Sequence, residues 1–74
     1  MVSVQVVRQS SGKPAEGKKV VLSFDGLSRG VTGHEYTNRN GEAHFGANPG
    51  SGKVIVDGST VYNGRIAGRV VVYV

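Results

Sequence analysis

Two short apolar runs, each preceded by residues that favour turns, constrain the fold of this chain most. The first run is Lys18 to Phe24, and it follows the segment Gly-Lys-Pro-Ala-Glu-Gly. The second is Glu42 to Phe45, and it follows Asn-Arg-Asn-Gly. Asparagine and glycine tolerate the positive φ angles that tight turns demand. Within both runs every second residue is apolar, and this period places those residues on one face of a β-strand. The pattern therefore predicts short strands with one buried face.

The composition favours sheet over helix. Valine supplies half of the apolar residues, and its branched side chain is stiff at χ1 and fits a pleated surface. The 12 glycines fall between the apolar runs, where turns and bulges require them, and they follow no Gly-X-Y repeat. A chain of 74 residues makes one domain with a thin core, so we predict a single domain over residues 1–74.

About seven short strands are predicted, at a spacing of roughly 8–12 residues that is typical of a β-sandwich or small barrel. No segment has a convincing helical period. We therefore predict an all-β fold, a small seven-stranded Greek-key sandwich of immunoglobulin-like or prealbumin-like type. The predicted strands are Val2–Gln9, Lys18–Phe24, a weaker strand Val31–Thr37 interrupted by Gly33, Glu42–Phe45, Lys53–Asp57, Val61–Tyr62 and Arg65–Val74.

The turns and the buried positions follow from the same alternation. We predict loops at 10–14 and 48–52, a turn at Asp25-Gly26 that continues as a loop to Gly30, and hairpin turns at 38–41 and at Asn63-Gly64. The side chains predicted to point inward are Val4, Val6, Val20, Leu22, Phe24, Ala43, Phe45, Val54, Val56, Val70 and Val72.

The turn and strand residues resemble those of the carboxypeptidase regulatory-like, or transthyretin-like (prealbumin-like), β-sandwich domain. The resemblance covers residues 2 to 57, and related modules recur as the B-type repeats of Gram-positive surface proteins. It implies a β-sandwich with a non-catalytic accessory, adhesive or spacer role and an extracytoplasmic location. The matching positions are Gly12, Pro14, Gly17, Val20, Leu22, Thr37, Gly41, Phe45, Pro49, Gly50, Val54 and Val56.

Two departures from that family bear on function. The family usually has an aromatic residue soon after the Pro-Gly turn, and this chain has Ser51-Gly52-Lys53 there. The hydroxyisourate hydrolases, which share the fold, end in Tyr-Arg-Gly-Ser, whereas this chain ends in Tyr73-Val74. The second departure argues against the enzymatic branch of the fold.

Residues that could support catalysis or bind a metal are few. Without cysteine, the chain has no disulfide, no thiolate zinc site and no cysteine nucleophile. His44 and Glu42 share one side of a predicted strand, but a zinc site typically needs three or four ligands. His34 is the only other histidine. The pattern favours solvent-facing histidines, with a weak histidine site formed across a dimer as the alternative.

The phosphate-loop and nucleophile motifs are incomplete. The segment Gly-Ser-Gly-Lys at 50–53 is similar to a phosphate-binding loop, but the Walker pattern needs glycine in place of Ala47 and serine or threonine in place of Val54. No serine lies in a Gly-x-Ser-x-Gly elbow. We therefore predict that the protein is not an enzyme and has no catalytic, cofactor-binding or metal-binding residues.

The net charge of +4 favours attraction to anions, although the basic residues are spread along the chain. An ordinary solvated sheet surface is the favoured interpretation. The alternative is a small basic β-barrel, OB-like or SH3-like, that binds nucleic acid by combining basic residues with Tyr36, Tyr62 and Tyr73. The candidate anion or nucleic-acid face for that alternative consists of Lys18, Lys19, Arg39, Arg65 and Arg69.

The C-terminal run Arg69–Val74 is apolar on both sides, which exceeds what a strand with one buried face needs. It is a central strand with a covered second face, a valine-rich strand of ordinary exposure, or an edge strand that invites pairing with another chain. On the last interpretation Val71 and Tyr73 form a candidate interaction edge. We therefore predict a non-catalytic interaction or structural module that acts through a sheet face or edge strand, with a protein partner or self-association.

The N-terminus and the apolar runs bear on location. Val2, Val4 and Val6 alternate with Ser3 and Gln5, as a strand does and a signal-peptide core does not. No apolar run reaches the ~18 residues of a membrane span, so we predict no membrane insertion. The residues themselves assign no compartment.

Overall fold

A computed structural model describes residues 1–26 and 30–74, and these residues form strands, turns and loops without a helix. The all-β prediction is therefore confirmed. The predicted loop residues 27–29 lie outside the described residues. The described strands are β1 Val2–Val7, β2 Lys19–Phe24, β3 Gly30–Val31, β4 Glu35–Tyr36, β5 Glu42–Phe45, β6 Gly50–Val56, β7 Ser59–Ile66 and β8 Arg69–Tyr73.

The strands form two sheets. In the three-stranded sheet, hereafter the β1 sheet, β1 lies between β5, which is antiparallel to it, and β8, which is parallel to it. In the five-stranded sheet, hereafter the β2 sheet, β2 pairs with β3 and β4 on one side and with β6 on the other. β7 extends this sheet beyond β6. Both sheets contribute side chains to one apolar core, so the architecture is sandwich-like.

The core is built from every second residue of the long strands. In the β1 sheet the cross-strand partners Val4 and Val70 are both buried. In the β2 sheet the cross-strand partners Leu22 and Val54 are both buried as well. All of the side chains predicted to point inward are buried, as the period of two requires. The other buried described residues are Val2, Ala15, Ile66, the polar Thr37 and two glycines, Gly41 and Gly52.

Thr37 fastens the loop that precedes β2. Its hydroxyl donates to the Ala15 carbonyl (2.6 Å) and accepts from the Lys18 N–H (2.8 Å). The backbone of Thr37 adds bonds to the N–H of Gly17 and the carbonyl of Lys18, both 2.9 Å. A buried hydroxyl with both donor and acceptor satisfied adds order without an unpaired polar group. The segment that precedes β2 is therefore held in place by Thr37, the residue that directly follows β4.

The tight turn predicted at 38–41 forms, but it joins the two sheets. The Gly41 N–H donates to the Asn38 carbonyl (2.9 Å), and the Asn38 side-chain oxygen accepts from the N–H groups of Asn40 (2.9 Å) and Glu42 (3.1 Å). The strand before the turn pairs with β2, and the strand after it pairs with β1. The two flanking strands do not pair with each other, so the prediction of a hairpin here is wrong. The residues of the turn favour a change of chain direction, but they do not determine which strands pair.

A second hairpin prediction, at Asn63-Gly64, is also wrong. β7 runs straight through these two residues. The chain reverses earlier, at Asp57-Gly58, where the φ angles are 49° and 85°. Two consecutive positive φ angles are the mark of the two-residue hairpin turn whose twist matches that of the flanking strands. Both dipeptides consist of residues that favour turns, and the register of β6 with β7 determines that the turn forms at Asp57-Gly58.

Two further boundaries differ from the prediction. β6 begins at Gly50, inside the predicted loop, and it passes Gly52, where a Cβ would clash with the Ser23 carbonyl oxygen. Glycine at this position lets β6 continue close beside β2. Arg65 belongs to β7, which ends at Ile66, and the chain bends at Gly68, with a φ of 58°, before β8 begins.

The weak strand predicted at Val31–Thr37 is two strands, so the described strands number eight and not seven. β3 pairs with the end of β2, through Ser23 and Val31, and β4 pairs with its start, through Lys19 and Tyr36. Gly33 lies between the two pieces, as the interruption in the pattern indicated.

Candidate interaction edge

Strand β8 lies at the edge of the β1 sheet, and within residues 1–26 and 30–74 its only paired neighbour is β1. The Ser3 N–H donates to the Gly68 carbonyl (2.8 Å), and the Val74 N–H donates to the Val7 carbonyl (2.9 Å). A parallel ladder bonds alternate residues of each strand, so these two bonds direct the backbone groups of residues 70, 72 and 74 toward β1. The residues whose backbone N–H and C=O groups point away from the sheet are Arg69, Val71 and Tyr73.

The side chains of β8 divide between the core and solvent. Val70 and Val72 are buried, whereas Val71 is 40% exposed and Tyr73 is 57% exposed. One side of the apolar run packs on the core, and the other lies on the outer face of the β1 sheet. β8 is thus an edge strand and not a central strand with a covered second face. The role of Val71 and Tyr73 in an interaction remains a prediction.

Arg69 is held across the outer face of the β1 sheet. One guanidinium nitrogen lies 2.8 Å from a carboxylate oxygen of Glu42 on β5, and the other donates to the Gln5 side-chain oxygen on β1 at 2.6 Å. Gln5 in turn donates to the Asn40 carbonyl (3.1 Å). These bonds neutralise the one charged residue of β8 and turn its side chain away from the open edge.

The structure separates the five basic residues of the candidate anion face. Lys19 and Arg65 lie on the outer face of the β2 sheet, in β2 and β7. Lys18 precedes β2, and its ammonium is 3.5 Å from Asp57. Arg39 lies in the turn at 38–41, and Arg69 belongs to the other sheet.

The three tyrosines are separated as well. Tyr36 is 60% exposed on the outer face of the β2 sheet, beside Lys19. Tyr62 packs against the core, and its hydroxyl donates to the Arg65 carbonyl (2.7 Å). Tyr73 lies on the β1 sheet. Only Tyr36 therefore shares a face with free basic residues.

Lys53 was absent from the predicted basic set, yet it lies on the same face as Lys19 and Arg65. It is opposite Ser23 on one side and Asn63 on the other. The sequence did contain the signal, because the buried Val54 and Val56 place residues 53 and 55 on the outer side of β6.

Ser3, His44 and Glu42 form a row on the outer face of the β1 sheet. The Ser3 hydroxyl is 2.8 Å from His44 Nδ1, and His44 Nε2 is 4.0 Å from a carboxylate oxygen of Glu42. The other carboxylate oxygen of Glu42 is already bound to Arg69. His44 is exposed, and the row lies on an open sheet surface, which favours a surface hydrogen-bond network over a nucleophilic site.

His34 lies near the start of β4, apart from that row in the fold. Its ring is 5.3 Å from the ring of Tyr36, in an edge-to-face arrangement with an interplanar angle of 76°. Both side chains are exposed. Among residues 1–26 and 30–74, no three His, Asp or Glu side chains lie together as metal ligands would.

Two depressions lie on the β2 sheet and at its border. The larger, of about 510 Å³, is on the outer face and is lined by Lys19, Val21, Ile55, Asp57 and Gly58. The smaller, of about 280 Å³, lies where the stretch between β3 and β4 approaches the end of β5. Neither includes Ser3 or His44.

No protein-family model, curated protein or solved structure matches this chain. The resemblance to the transthyretin-like domain therefore remains a prediction. No described segment is a helix of the length and apolar character that crossing a membrane requires.

Proposed function

We propose that this chain is a non-catalytic interaction module that assembles with a second copy of itself through the edge of β8. The observation that carries the proposal is the unpaired outer edge of that strand within the described residues, where Val71 and Tyr73 add exposed apolar side chains. An edge strand without proline or a free charge pairs readily with another strand.

A second copy fits this edge in antiparallel pairing about a twofold axis through Val71. In that register Val71 lies opposite its own counterpart, and Arg69 lies opposite Tyr73 of the second copy. All three residues direct both backbone groups outward, so each N–H and C=O meets a partner across the interface. A contact of this isologous kind closes after two copies, because it uses the β8 edge of both.

Charge supports self-pairing. Arg69 is the only charged residue of β8, and Glu42 and Gln5 hold its guanidinium across the sheet. Two copies therefore bring no free like charges together at the edge, where directly opposed like charges would destabilise the pair. The apolar surface of Val71 and Tyr73 is added to that of the second copy. For a domain with a thin core, such burial is a source of additional stability.

The proposal includes the finer architecture and the absence of catalysis. A Greek-key sandwich of prealbumin-like type is supported by the orders β5-β1-β8 and β3-β2-β6-β7, because the chain passes from one sheet to the other between β1 and β2, β4 and β5, β5 and β6, and β7 and β8. A non-catalytic role is supported by the open surface around Ser3 and His44. One carboxylate oxygen of Glu42 binds Arg69, and the other is 4.0 Å from His44 Nε2, which is too far for a hydrogen bond that would orient the imidazole.

Sedimentation velocity over a range of chain concentrations tests the proposal. The natural chain should shift from monomer to dimer as its concentration rises toward about 1 mM, because a short strand contact gives a weak dimer. Val71→Lys should remain monomeric, since it places two ammonium groups on the twofold axis. Val31→Lys is the matched control, because Val31 is 65% exposed on a strand of the other sheet and this variant should dimerise normally.

Two results would overturn the proposal. One is a natural chain that stays monomeric over the whole concentration range. The other is equal dimerisation of the natural chain and Val71→Lys, provided that thermal unfolding shows both to be folded. Hydrogen exchange gives an independent measurement, because the N–H groups of Val71 and Tyr73 should become protected only at concentrations where the dimer forms.

A further inference from the structure

The outer face of the β2 sheet carries three cations in a diagonal line across three neighbouring strands. Lys19 lies on β2, Lys53 on β6 and Arg65 on β7. Lys53 is the cross-strand partner of Ser23, so it lies four residue positions along the sheet from Lys19. Arg65 is the cross-strand partner of Ser51 and therefore lies two positions further in the same direction. From the ordinary rise and strand spacing of a sheet, the line is about 22 Å long.

These three cations have no carboxylate partner within the described residues. Asp57 lies at the Lys19 end of the line and is already engaged: one oxygen accepts from the Lys19 backbone N–H (3.1 Å) and the other is 3.5 Å from the Lys18 ammonium. Asp25 follows β2 at the far end of the face. With Lys18 included, four cations face two carboxylates, so the face is positive overall.

An apolar floor lies between the first two cations. Val21 and Ile55 are cross-strand partners with outward side chains, and they line the depression of about 510 Å³ together with Lys19. Tyr36, 60% exposed, is the cross-strand partner of Lys19 on the other side. Cations that follow a backbone, with an aromatic ring and an apolar surface for unstacked bases, are the elements of single-strand recognition.

We infer that this face, defined by Lys19, Lys53, Arg65, Tyr36, Val21 and Ile55, binds single-stranded nucleic acid without strong sequence preference. The cations contact phosphates along the diagonal, one base lies against Val21 and Ile55, and a neighbouring base stacks on Tyr36. A duplex fits less well, because its base faces are already stacked on one another and cannot reach this floor. The site lies on the sheet that does not contain β8, so it is independent of the proposed strand pairing.

Fluorescence anisotropy with a labelled oligothymidine of about 12 nucleotides tests the inference. Three phosphate contacts predict a slope of about −2 for the logarithm of the affinity against the logarithm of the salt concentration. Raising salt from about 50 to about 200 mM should therefore weaken binding by roughly tenfold to twentyfold. Tyr36→Ala should also weaken binding severalfold and leave the salt slope unchanged, since stacking releases no counterions.

Charge reversal with a matched control separates this face from net charge. Lys19→Glu with Lys53→Glu should weaken binding at least about tenfold and reduce the magnitude of the salt slope by about 1.4, because two of the three phosphate contacts are lost. Arg8→Glu with Lys13→Glu changes the net charge equally in an exposed loop beyond β1, and it should bind nearly as the natural chain does. Val71→Lys should leave oligothymidine binding intact, which keeps this test separate from that of the dimer.

Three outcomes would overturn the inference. The first is no binding to oligothymidine at low salt. The second is an equal loss of affinity in the two charge-reversed variants, which would mean attraction by net charge alone. The third is competition by heparin or by duplex DNA as effective as that by unlabelled oligothymidine, because this would make the face a general polyanion surface.

Discussion

The outer faces of the two sheets differ in whether their cations are paired with carboxylates. On the outer face of the β1 sheet, Arg69 reaches across β1 to Glu42, and the two charges cancel at 2.8 Å. On the outer face of the β2 sheet, Lys53 and Arg65 have no such partner among the described residues. Both faces present polar and charged side chains at alternate positions, so alternation alone does not distinguish them. Strand register does, because it brings a carboxylate within reach of a cation in one sheet and not in the other.

This difference suits the two faces to different contacts. A face without free charge, bordered by the open edge of β8, suits pairing with another neutral strand. A face with unpaired cations beside an apolar floor suits an anion that also has flat apolar groups. Net charge describes neither, because +4 for the whole chain is the sum of one neutral face, one positive face and the loops.

Both faces depend on one core, and the largest effect should come from removing part of it. Leu22 is fully buried, and its neighbour Val21 lies on the outer face of the same strand. Leu22→Ala should lower the free energy of unfolding by about 2–5 kcal/mol, because it leaves a cavity. Val21→Ala should lower it by less than about 1 kcal/mol.

Urea denaturation of the two variants measures this contrast directly. Oligothymidine binding is a second measurement that distinguishes the two variants. Val21→Ala should keep the fold but bind oligothymidine more weakly, because it removes part of the apolar floor. If both variants lost equal stability, the assignment of inner and outer sides of β2 would be wrong, and the two-face comparison would fail with it.

The junction between the sheets gives the next largest effect. Gly41 has a φ of 74°, and a Cβ there would lie 2.5 Å from the Val6 carbonyl oxygen. Gly12 has nearly the same φ, 71°, with no atom within 4 Å of its Cβ position. Gly12→Ala should therefore cost only the ~1 kcal/mol of a left-handed residue, whereas Gly41→Ala should cost about 2–3 kcal/mol or more.

Thermal unfolding of this pair shows whether contact or conformation matters at the turn. The two variants place the same side chain at almost the same φ, so a difference between them comes from the close contacts at Gly41 with the Val6 carbonyl oxygen, Pro14 and Ala15. Equal destabilisation would mean that the turn moves freely to admit a Cβ, and that the two sheets are not held in register at this point.

Much of the fold follows from the sequence because it depends on local pattern. The alternation of Val20, Leu22 and Phe24 determines which side of β2 is buried, whichever strand lies beside it. The turn at 38–41 forms because Asn38 and Gly41 supply its hydrogen bonds and its positive φ locally. Both features were predicted, and both are present.

The remaining features depend on pairing, which local pattern does not set. Asp57-Gly58 and Asn63-Gly64 are equally good turns in isolation, and only the register of β6 against β7 selects the first. Similarly, Arg69 and Glu42 are 27 residues apart, and their ion pair exists because β5 and β8 flank β1. The grouping of Lys53 with Lys19 and Arg65 likewise depends on strand order. The sequence pattern predicts only that each of these side chains points outward, and not that the three lie on one face.

The smallest effect tests the charge contrast itself. Arg69→Gln and Lys53→Gln each remove one exposed cation from a strand, and they differ in whether that cation has a partner. Arg69→Gln should lower the free energy of unfolding by about 0.2–1 kcal/mol at low salt, since it breaks an ion pair that solvent only partly screens. Lys53→Gln should change it by no more than about 0.5 kcal/mol in either direction.

Salt dependence distinguishes the ion pair from other effects of the substitution. As salt rises toward about 1 M, screening should bring the stability of Arg69→Gln closer to that of the natural chain, whereas Lys53→Gln should show no such convergence. The hydrogen bond to Gln5 does not depend on net charge, so a difference that persists at high salt would assign the stabilisation to Gln5 rather than to Glu42. In that case the stabilisation by Arg69 would come from its hydrogen bond to Gln5, and the contrast with the β2 sheet would be one of side-chain anchoring rather than of charge pairing.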